Sequence, residues 1–203
     1  MGFLRNLFGP SKSEVWQQLA AEIGANYVDG GVWKGDKVQA HVNQWTVTLD
    51  TYTVSTGKTS VTFTRLRAPY VNADSFRFKI YRKSMFSDLG KMLGMQDVEI
   101  GDPDFDAAFI IKGNDEQKLK QLFANPTIRQ LITTHLSGHI EVKDDEGWLA
   151  TTFPEGVDEL VLHEAGIITD VERLKEFYEL FAALLHQLCH IGSAYENDPQ
   201  VSL

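Results

Sequence analysis

Cysteine is nearly absent from this chain of 203 residues, and its single cysteine, Cys189, excludes an intrachain disulfide. A chain of this length buries about 70% of the surface that its unfolded form exposes, so folding needs neither a disulfide nor a metal. The scarcity of cysteine fits a reducing compartment. The chain also does not open with the charged, apolar and small-residue regions of a secretory signal. We therefore expect a cytoplasmic protein.

Long apolar runs and familiar catalytic motifs are also missing. The longest apolar run, LFAALL at 180–185, is far too short to span a membrane. The sequence has no G-x-S-x-G elbow, no P-loop and no dinucleotide-binding glycine pattern. Residues 1–8 place apolar side chains on one helical face, for which we expect at most a peripheral membrane contact. We therefore expect no cofactor and lean away from an enzyme.

Positive charge is scarce overall but concentrated in one segment. The net charge of −9 disfavours nucleic acid as a partner. Residues 58–83 nevertheless contain seven cationic side chains and one acid, a net charge of +6 that leaves −15 on the rest of the chain. This asymmetry is the most informative global feature of the sequence.

The strand-like segments alternate apolar and polar residues with a period of two. Examples are KVQAHVN, WTVTL, SVTFT, FRFKIY and, later, AFIIKG and ELVLHEA. Such alternation buries one face and leaves the other wet, as in an antiparallel sheet. HIEVKD and GWLATTF flank Asp145, Glu146 and Gly147 and predict a hairpin.

Helical periodicity fills the spaces around these strands. An N-terminal helix begins at a capping box of Ser11 and Glu14, and a long C-terminal helix begins at Thr169 and Glu172. Short helices are predicted over 84–95, after a cap at Asn114, and from Asn125 and Pro126.

These elements together predict one domain. We expect an α+β fold in which a largely antiparallel sheet is packed by the N-terminal helix, the short middle helices and the long C-terminal helix. The domain would span 1–203, with two subdomains at about 11–95 and 96–192 as an alternative. Residues 1–10 and 193–203 are predicted to be flexible ends.

Three aspartates two residues apart, Asp102, Asp104 and Asp106, form a candidate metal site. A calcium loop would next require glycine at its sixth position and glutamate at its twelfth. Those positions hold Ala107 and Gly113. We favour a polar turn ahead of a buried strand, in which the aspartates accept backbone amide hydrogens and nearby phenylalanines anchor the turn.

The same stretch, GDPDFDAAFIIKGND followed by LKQLFANPTIRQLI, resembles a family of uncharacterised bacterial proteins that share a G-D-x-x-F-D-x-x-F pattern. The resemblance covers about residues 97–135. Family members often place membrane-spanning helices ahead of this domain, which this sequence does not show. The resemblance implies a fold but no activity and no catalytic residues.

His186 and His190 in HQLCH form a second candidate metal site, because they lie one helical turn apart as in the zinc-protease pattern H-E-x-x-H. Gln187 stands where that pattern needs a glutamate base, and glutamine cannot accept the proton. The two histidines also continue the polar side of the helix. We therefore expect an exposed helix face, with Cys189 packed beside the apolar stripe.

The cationic segment supplies the candidate binding site. Its members opposite the apolar face of the strands would be Arg65, Arg67, Arg77, Lys79 and Tyr81. They could bind lipid headgroups, a phosphorylated ligand or an acidic protein, and the competing interpretation is a solvated face neutralised by the chain's own acids. We favour a non-enzymatic binding or accessory module for an anionic or protein partner. The alternatives are a carrier of a small apolar ligand and a metal-dependent hydrolase, and the oligomeric state is open.

Overall fold

The computed structural model describes residues 10–31, 35–55, 57–85, 96–144 and 152–203. The predicted helix over 84–95 and the predicted membrane contact of residues 1–8 lie essentially outside these ranges. The described part confirms the α+β class. Five helices and ten strands are present in it, and the strands form one sheet.

The strands are short at the two edges of the sheet and long in the middle. Their bounds are β1 Asn26–Val28, β2 Lys37–Val42, β3 Trp45–Ser55, β4 Ser60–Asn72, β5 Phe78–Arg82, β6 Gln96–Asp97, β7 Phe109–Gly113, β8 His139–Lys143, β9 Val157–Ala165 and β10 Ala194–Tyr195. The helices are α1 Lys12–Ile23, α2 Pro103–Ala108, α3 Glu116–Phe123, α4 Pro126–His135 and α5 Val171–His190. Within these ranges no helix combines the length and apolar composition that a membrane crossing requires.

The strand order is β1-β2-β3-β4-β9-β8-β5-β7-β6, and β10 pairs with β4 beside this path. Every pairing between these strands is antiparallel, as the alternation predicted. Strand β9 lies between β4 and β8, and β8 pairs with β5. Strands from 11–95 and from 96–192 therefore alternate in one sheet, so the two predicted subdomains share a single structure.

One face of the sheet, here called the helix face, carries the core. Fully buried residues from the central strands, such as Leu66, Leu162 and Ile140, pack in one cluster with Phe177 and Leu184 of α5. Polar atoms at this interface are bonded: the Tyr178 hydroxyl donates to the Val38 carbonyl, and the Trp16 indole donates to the Ile168 carbonyl. The opposite face, here called the polar face, carries most of the charged side chains of the sheet.

Several predicted boundaries are corrected. The cap of α3 is Asp115 rather than Asn114, and the cap of α5 is Asp170 rather than Thr169. The turn and most of the second strand of the predicted hairpin lie outside the described residues; its first strand, β8, pairs with β9 along its length and with β5 at residues 139–141.

The prediction that residues 193–203 form a flexible end is also corrected. Residues 194–195 form β10 against β4, and the backbone N–H of Ala73 donates to the buried Ser193. The side chain of Gln39 donates to the carbonyl of Leu203 at 3.4 Å. The last eleven residues are therefore tied to the sheet at both ends rather than free.

Candidate functional site

The polar face brings residues from five strands into one lateral row. The register aligns Asp50 of β3, Arg65 of β4, His163 of β9, His139 of β8 and Tyr81 of β5. All five occupy alternate positions to the apolar residues that face the helices, so they point to the same side of the sheet. The row joins residues that are more than one hundred positions apart in the sequence.

The predicted basic residues lie on or near this face, where carboxylates bind them. Arg65 donates two hydrogen bonds to Asp50, at 2.8 and 2.9 Å, and Arg67 lies 3.0 Å from the same carboxylate. Lys79 donates to Glu141 at 3.0 Å. Of these three cations, Arg67 and Lys79 are buried and Arg65 is half-buried.

Arg77 lies apart from the other predicted basic residues, and Tyr81 is on their face but not exposed. Arg77 precedes β5 and donates to Asp144 and Asp158 instead. Tyr81 is on the polar face but buried. The predicted anion site stays a prediction, and these cations already have carboxylate partners inside the protein.

Glu159 shows how strongly this face is screened from water. Its side chain is fully buried, with the Lys143 ammonium at 3.4 Å and the Arg67 guanidinium at 3.9 Å. Burial raises the pKa of this carboxyl, and the neighbouring cations oppose the rise. The polar face is therefore a charge network at low dielectric.

A His–Glu–His cluster lies at the centre of this network. His139 and His163 are direct register partners, and their rings stack with centroids 4.6 Å apart and an interplanar angle of 24°. Both Nε2 atoms face the same oxygen of Glu141, at 3.5 Å for His139 and 3.7 Å for His163. Among the described residues this is the one group of three or more metal-binding side chains whose ligand atoms converge, all within 4.8 Å of one another.

The environment keeps two members of the cluster deprotonated. Burial lowers the pKa of His163 to about 3, with a further lowering from neighbouring His139. For Glu141, burial acts to raise the pKa, but hydrogen bonds and charges from His139 and Lys79 outweigh it and lower the pKa to about 2. His163 is thus neutral and Glu141 is anionic at neutral pH.

Two of the three aspartates in the first predicted metal site bind backbone groups of the protein. Asp102 caps α2 by accepting from the Phe105 N–H at 3.2 Å, and it also pairs with Arg129. Asp106 accepts two backbone N–H groups, from Ile100 and Gly101, each at 2.9 Å. The aspartates thus hold a helical turn ahead of β7, in keeping with the interpretation that we favoured.

His186 and His190 lie on the exposed side of α5, as expected for a polar helix face. His186 bonds to Asn43 at 3.0 Å and packs edge-on against Trp45. Neither histidine belongs to a group of three metal-binding side chains in the described part of the chain. Cys189 is partly buried against the core cluster.

The hairpin of β3 and β4 extends past its neighbours. β2 pairs only with Trp45–Leu49 of β3, and β9 begins to pair with β4 at Thr64. Residues 51–55 and 60–63, here called the hairpin arm, are therefore paired mainly with each other. Besides this mutual pairing, the arm has an isolated β-bridge between Phe63 and Gly166.

The two faces of the hairpin arm differ in chemistry. On one face, hydroxyls pair across the strands: Thr53 with Thr62 at 3.0 Å and Ser55 with Ser60 at 2.8 Å. The other face carries four apolar or aromatic side chains in two direct pairs: Tyr52 with Phe63 and Val54 with Val61. This second face, here called the arm patch, is continuous with the polar face of the sheet.

Sequence reasoning missed the central cluster for a physical reason. His139 and Glu141 lie two apart in a predicted strand, and that H-x-E spacing is a signal that could have placed them on one face. His163 comes from another predicted strand, and nothing in the local pattern says that the two strands pair. The cluster depends on that pairing.

Comparison with known proteins gives one structural similarity. No known protein family and no curated protein matches this sequence. The crystal structure of the mycobacterial trehalose monomycolate transport factor A, TtfA, is similar over 87% of this chain and 97% of its own, with 9% sequence identity and a TM-score of 0.45. The resemblance to the uncharacterised bacterial family with the G-D-x-x-F-D-x-x-F pattern stays a prediction.

Proposed function

We propose that this protein is a non-enzymatic binding module whose hairpin arm binds a protein partner. The observation that carries the proposal is that two valines, which are register partners on neighbouring strands, are exposed to solvent. The exposed fraction is 43% for Val54 and 46% for Val61. Apolar residues that alternate along a strand normally mark its buried face. Here the apolar side of the arm faces solvent.

The arm patch is larger than the two valines. The rings of Tyr52 and Phe63 stack beside them, with centroids 5.3 Å apart, and both residues are partly exposed. The Arg65 guanidinium also lies 5.1 Å from the centre of the Tyr52 ring and helps to order it. Preordered aromatic side chains next to aliphatic ones are typical of protein contact surfaces.

The arm also offers backbone groups to a partner. Residues 51–55 of β3 pair with β4 on one side and with no described strand on the other. An exposed strand edge can accept an extended segment of another protein by adding one more strand. We infer an extended apolar segment as the partner's contact, seated along β3 and over the arm patch.

The other two function classes receive less support from the geometry. A carrier needs a cavity between the sheet and α5, but Leu180, Phe181 and Leu184 of that helix are fully buried in the packed core. A hydrolase that uses the aspartates needs them to converge, and Asp102 and Asp106 instead hold backbone amides.

A photocrosslinking experiment tests the proposed contact. A photoreactive phenylalanine analogue at position 54 or 61 is expected to give a discrete heteromeric crosslink in host cells. The same analogue at Thr53, on the hydroxyl face one residue away, is the matched control and is expected to give none. The Val54→Asp substitution, combined with the analogue at position 61, is expected to abolish the crosslink.

Two results would contradict the proposal. One is equal crosslinking from positions 53 and 54, which means that the arm has no preferred face. The other is a crosslink from position 54 that persists in purified protein at twice the chain mass, because it identifies a second copy as the occupant.

A further inference from the structure

The His–Glu–His cluster has the donor atoms and the spacing of a metal centre. Two ligands that each lie about 2.0–2.1 Å from a tetrahedral ion are about 3.4 Å apart. The Nε2 atoms of His139 and His163 lie 3.5 and 3.7 Å from the Glu141 oxygen, and all three donor atoms fall within 4.8 Å. Two edges of a coordination tetrahedron are therefore nearly formed, and the third forms when the two rings turn out of their stack so that both Nε2 atoms point at one ion.

The supporting contacts are those that metal ligands receive in proteins. The second carboxylate oxygen of Glu141 accepts from Lys79 at 3.0 Å, which leaves the first oxygen directed at the histidines. The Nδ1 atom of His163 lies 2.8 Å from the Tyr52 hydroxyl. A metal-bound imidazole commonly uses its other ring nitrogen in such a hydrogen bond, which fixes the ring and its tautomer.

The stacking of the two rings also sets the side to which their Nε2 atoms point. With an interplanar angle of 24° and register-paired backbones, both rings present Nε2 to the same side. Without an ion, an imidazole N–H that donates to Glu141 accounts for such an approach, and zinc would take the place of that proton. Register-paired histidines on neighbouring antiparallel strands thus bring two donor nitrogens to one carboxylate oxygen, where an ion can be shared.

We propose that His139, Glu141 and His163 bind one transition-metal ion of the zinc class through two Nε2 atoms and one carboxylate oxygen. Two imidazoles and one carboxylate suit zinc and its neighbours among the divalent transition metals, whereas magnesium and calcium prefer sites made of oxygen. Three protein ligands leave a fourth coordination position for water or for a group from another molecule. The site lies on the polar face and is separate from the arm patch, although Tyr52 touches both.

The surrounding charges set the affinity that we expect. Lys79 lies against the ligand carboxylate, and Arg65 and Lys143 influence His163 electrostatically, so cations oppose the incoming ion. Asp50 and the buried Glu159 compensate two of these cations. We therefore expect binding in the micromolar range rather than the tighter binding of a structural zinc finger.

Titration of the purified, untagged full-length chain with zinc tests the proposal. Calorimetry is expected to give one equivalent bound, and substitution by cobalt is expected to give the visible absorption of a four-coordinate ion. Magnesium and calcium are expected to give no signal. Glu141→Gln, which keeps the shape of the side chain, is expected to weaken zinc binding by at least tenfold, and His139→Ala and His163→Ala are expected to abolish it.

Two variants sharpen the assignment. The double substitution His186→Ala and His190→Ala removes the other predicted histidine pair and is expected to leave the stoichiometry unchanged. Tyr52→Phe removes the hydroxyl next to Nδ1 of His163 and, as a positioning residue, is expected to weaken binding about tenfold. That variant is also expected to alter the cobalt spectrum, which a purely structural role would leave unchanged.

NMR of the histidine side chains gives a test that does not require any cluster variant to fold. In the wild-type chain, substoichiometric zinc is expected to shift the signals of two histidines, and both shifted signals are expected to remain in the His186→Ala and His190→Ala double variant. Absence of stoichiometric zinc binding by the wild-type chain would overturn the proposal. Binding that survives in Glu141→Gln and disappears in the His186 and His190 double variant would also overturn it.

Discussion

At the scale of single residues, Gly138 decides how closely β8 can approach β9. A Cβ atom at this position would lie 1.7 Å from the carbonyl oxygen of His163, closer than two such atoms can come. The backbone N–H of Gly138 also donates to the buried carboxylate of Glu164 at 2.8 Å. Because the obstacle is backbone, no side-chain rotation can relieve it. The absence of a side chain at 138 therefore lets His139 stack on His163.

We expect Gly138→Ala to lower the free energy of unfolding by roughly 3 kcal/mol, because β8 must shift away from β9. Gly35→Ala is the matched control: a Cβ there meets only Thr51 Oγ1 at 3.9 Å, so we expect a change of about 0.5 kcal/mol or less. Urea unfolding of both variants measures the difference. Equal stabilities would show that the close approach of the two strands is not needed for folding.

At the scale of elements, side-chain caps determine where the helices begin. Ser11 and Glu14 form the complete capping box that the sequence predicted for α1. At α5, however, Asp170 accepts from the Arg173 N–H at 3.1 Å, so the helix begins one residue later than the Thr169 prediction. Threonine and aspartate are both good caps, and the choice between neighbours depends on the path by which the chain enters the helix.

Substitution of the two neighbouring caps distinguishes the alternatives. We expect Asp170→Ala to lower the free energy of unfolding by about 1 kcal/mol, because the first turn of α5 loses an acceptor for its N–H groups. Thr169→Ala is expected to change it by only a few tenths of that amount. Thermal and urea unfolding measure both. A larger loss at Thr169 would mean that the helix begins where the sequence pattern placed it.

At the scale of the whole molecule, the C-terminal residues attach to the sheet through β10. β10 pairs with the outer end of β4, and the Ser193 hydroxyl accepts from Lys118 at 3.1 Å and donates to Asp74 at 3.2 Å. The end of the chain therefore links α5 to β4 and to the start of α3. The sheet is held by its last residues as well as by its hairpins.

Removal of residues 193–203 is expected to lower the melting temperature by roughly 5–10 °C, because a few backbone and side-chain hydrogen bonds of about 1 kcal/mol each are lost. Removal of residues 198–203 alone keeps β10 and is expected to cost less than half as much. Calorimetry of the two truncated chains and the full chain measures the difference. Equal melting temperatures for all three would show that β10 contributes nothing to stability.

The candidate sites show how far sequence reasoning reaches. The preference for a turn at Asp102, Asp104 and Asp106 rests on local hydrogen bonding, and the structure contains two of those aspartates bonded to nearby amides. The exposure of His186 and His190 follows from helical periodicity, which is also local. The partners of Arg65 and Lys79 could not be predicted, because Asp50 and Glu141 lie on other strands and reach them only through the register.

The sequence alone determined the antiparallel character of the sheet, the helices that cover one of its faces and two of the four predicted helix caps, Ser11 and Asn125. These features depend on residues within a few positions of each other, so their periodicity and spacing can be read directly. Tertiary structure alone decided that β9 lies between β4 and β8, and thereby that His163 stacks on His139 beside Glu141. Strand order depends on which distant apolar faces pack together best, and the local pattern of any one strand is compatible with many neighbours.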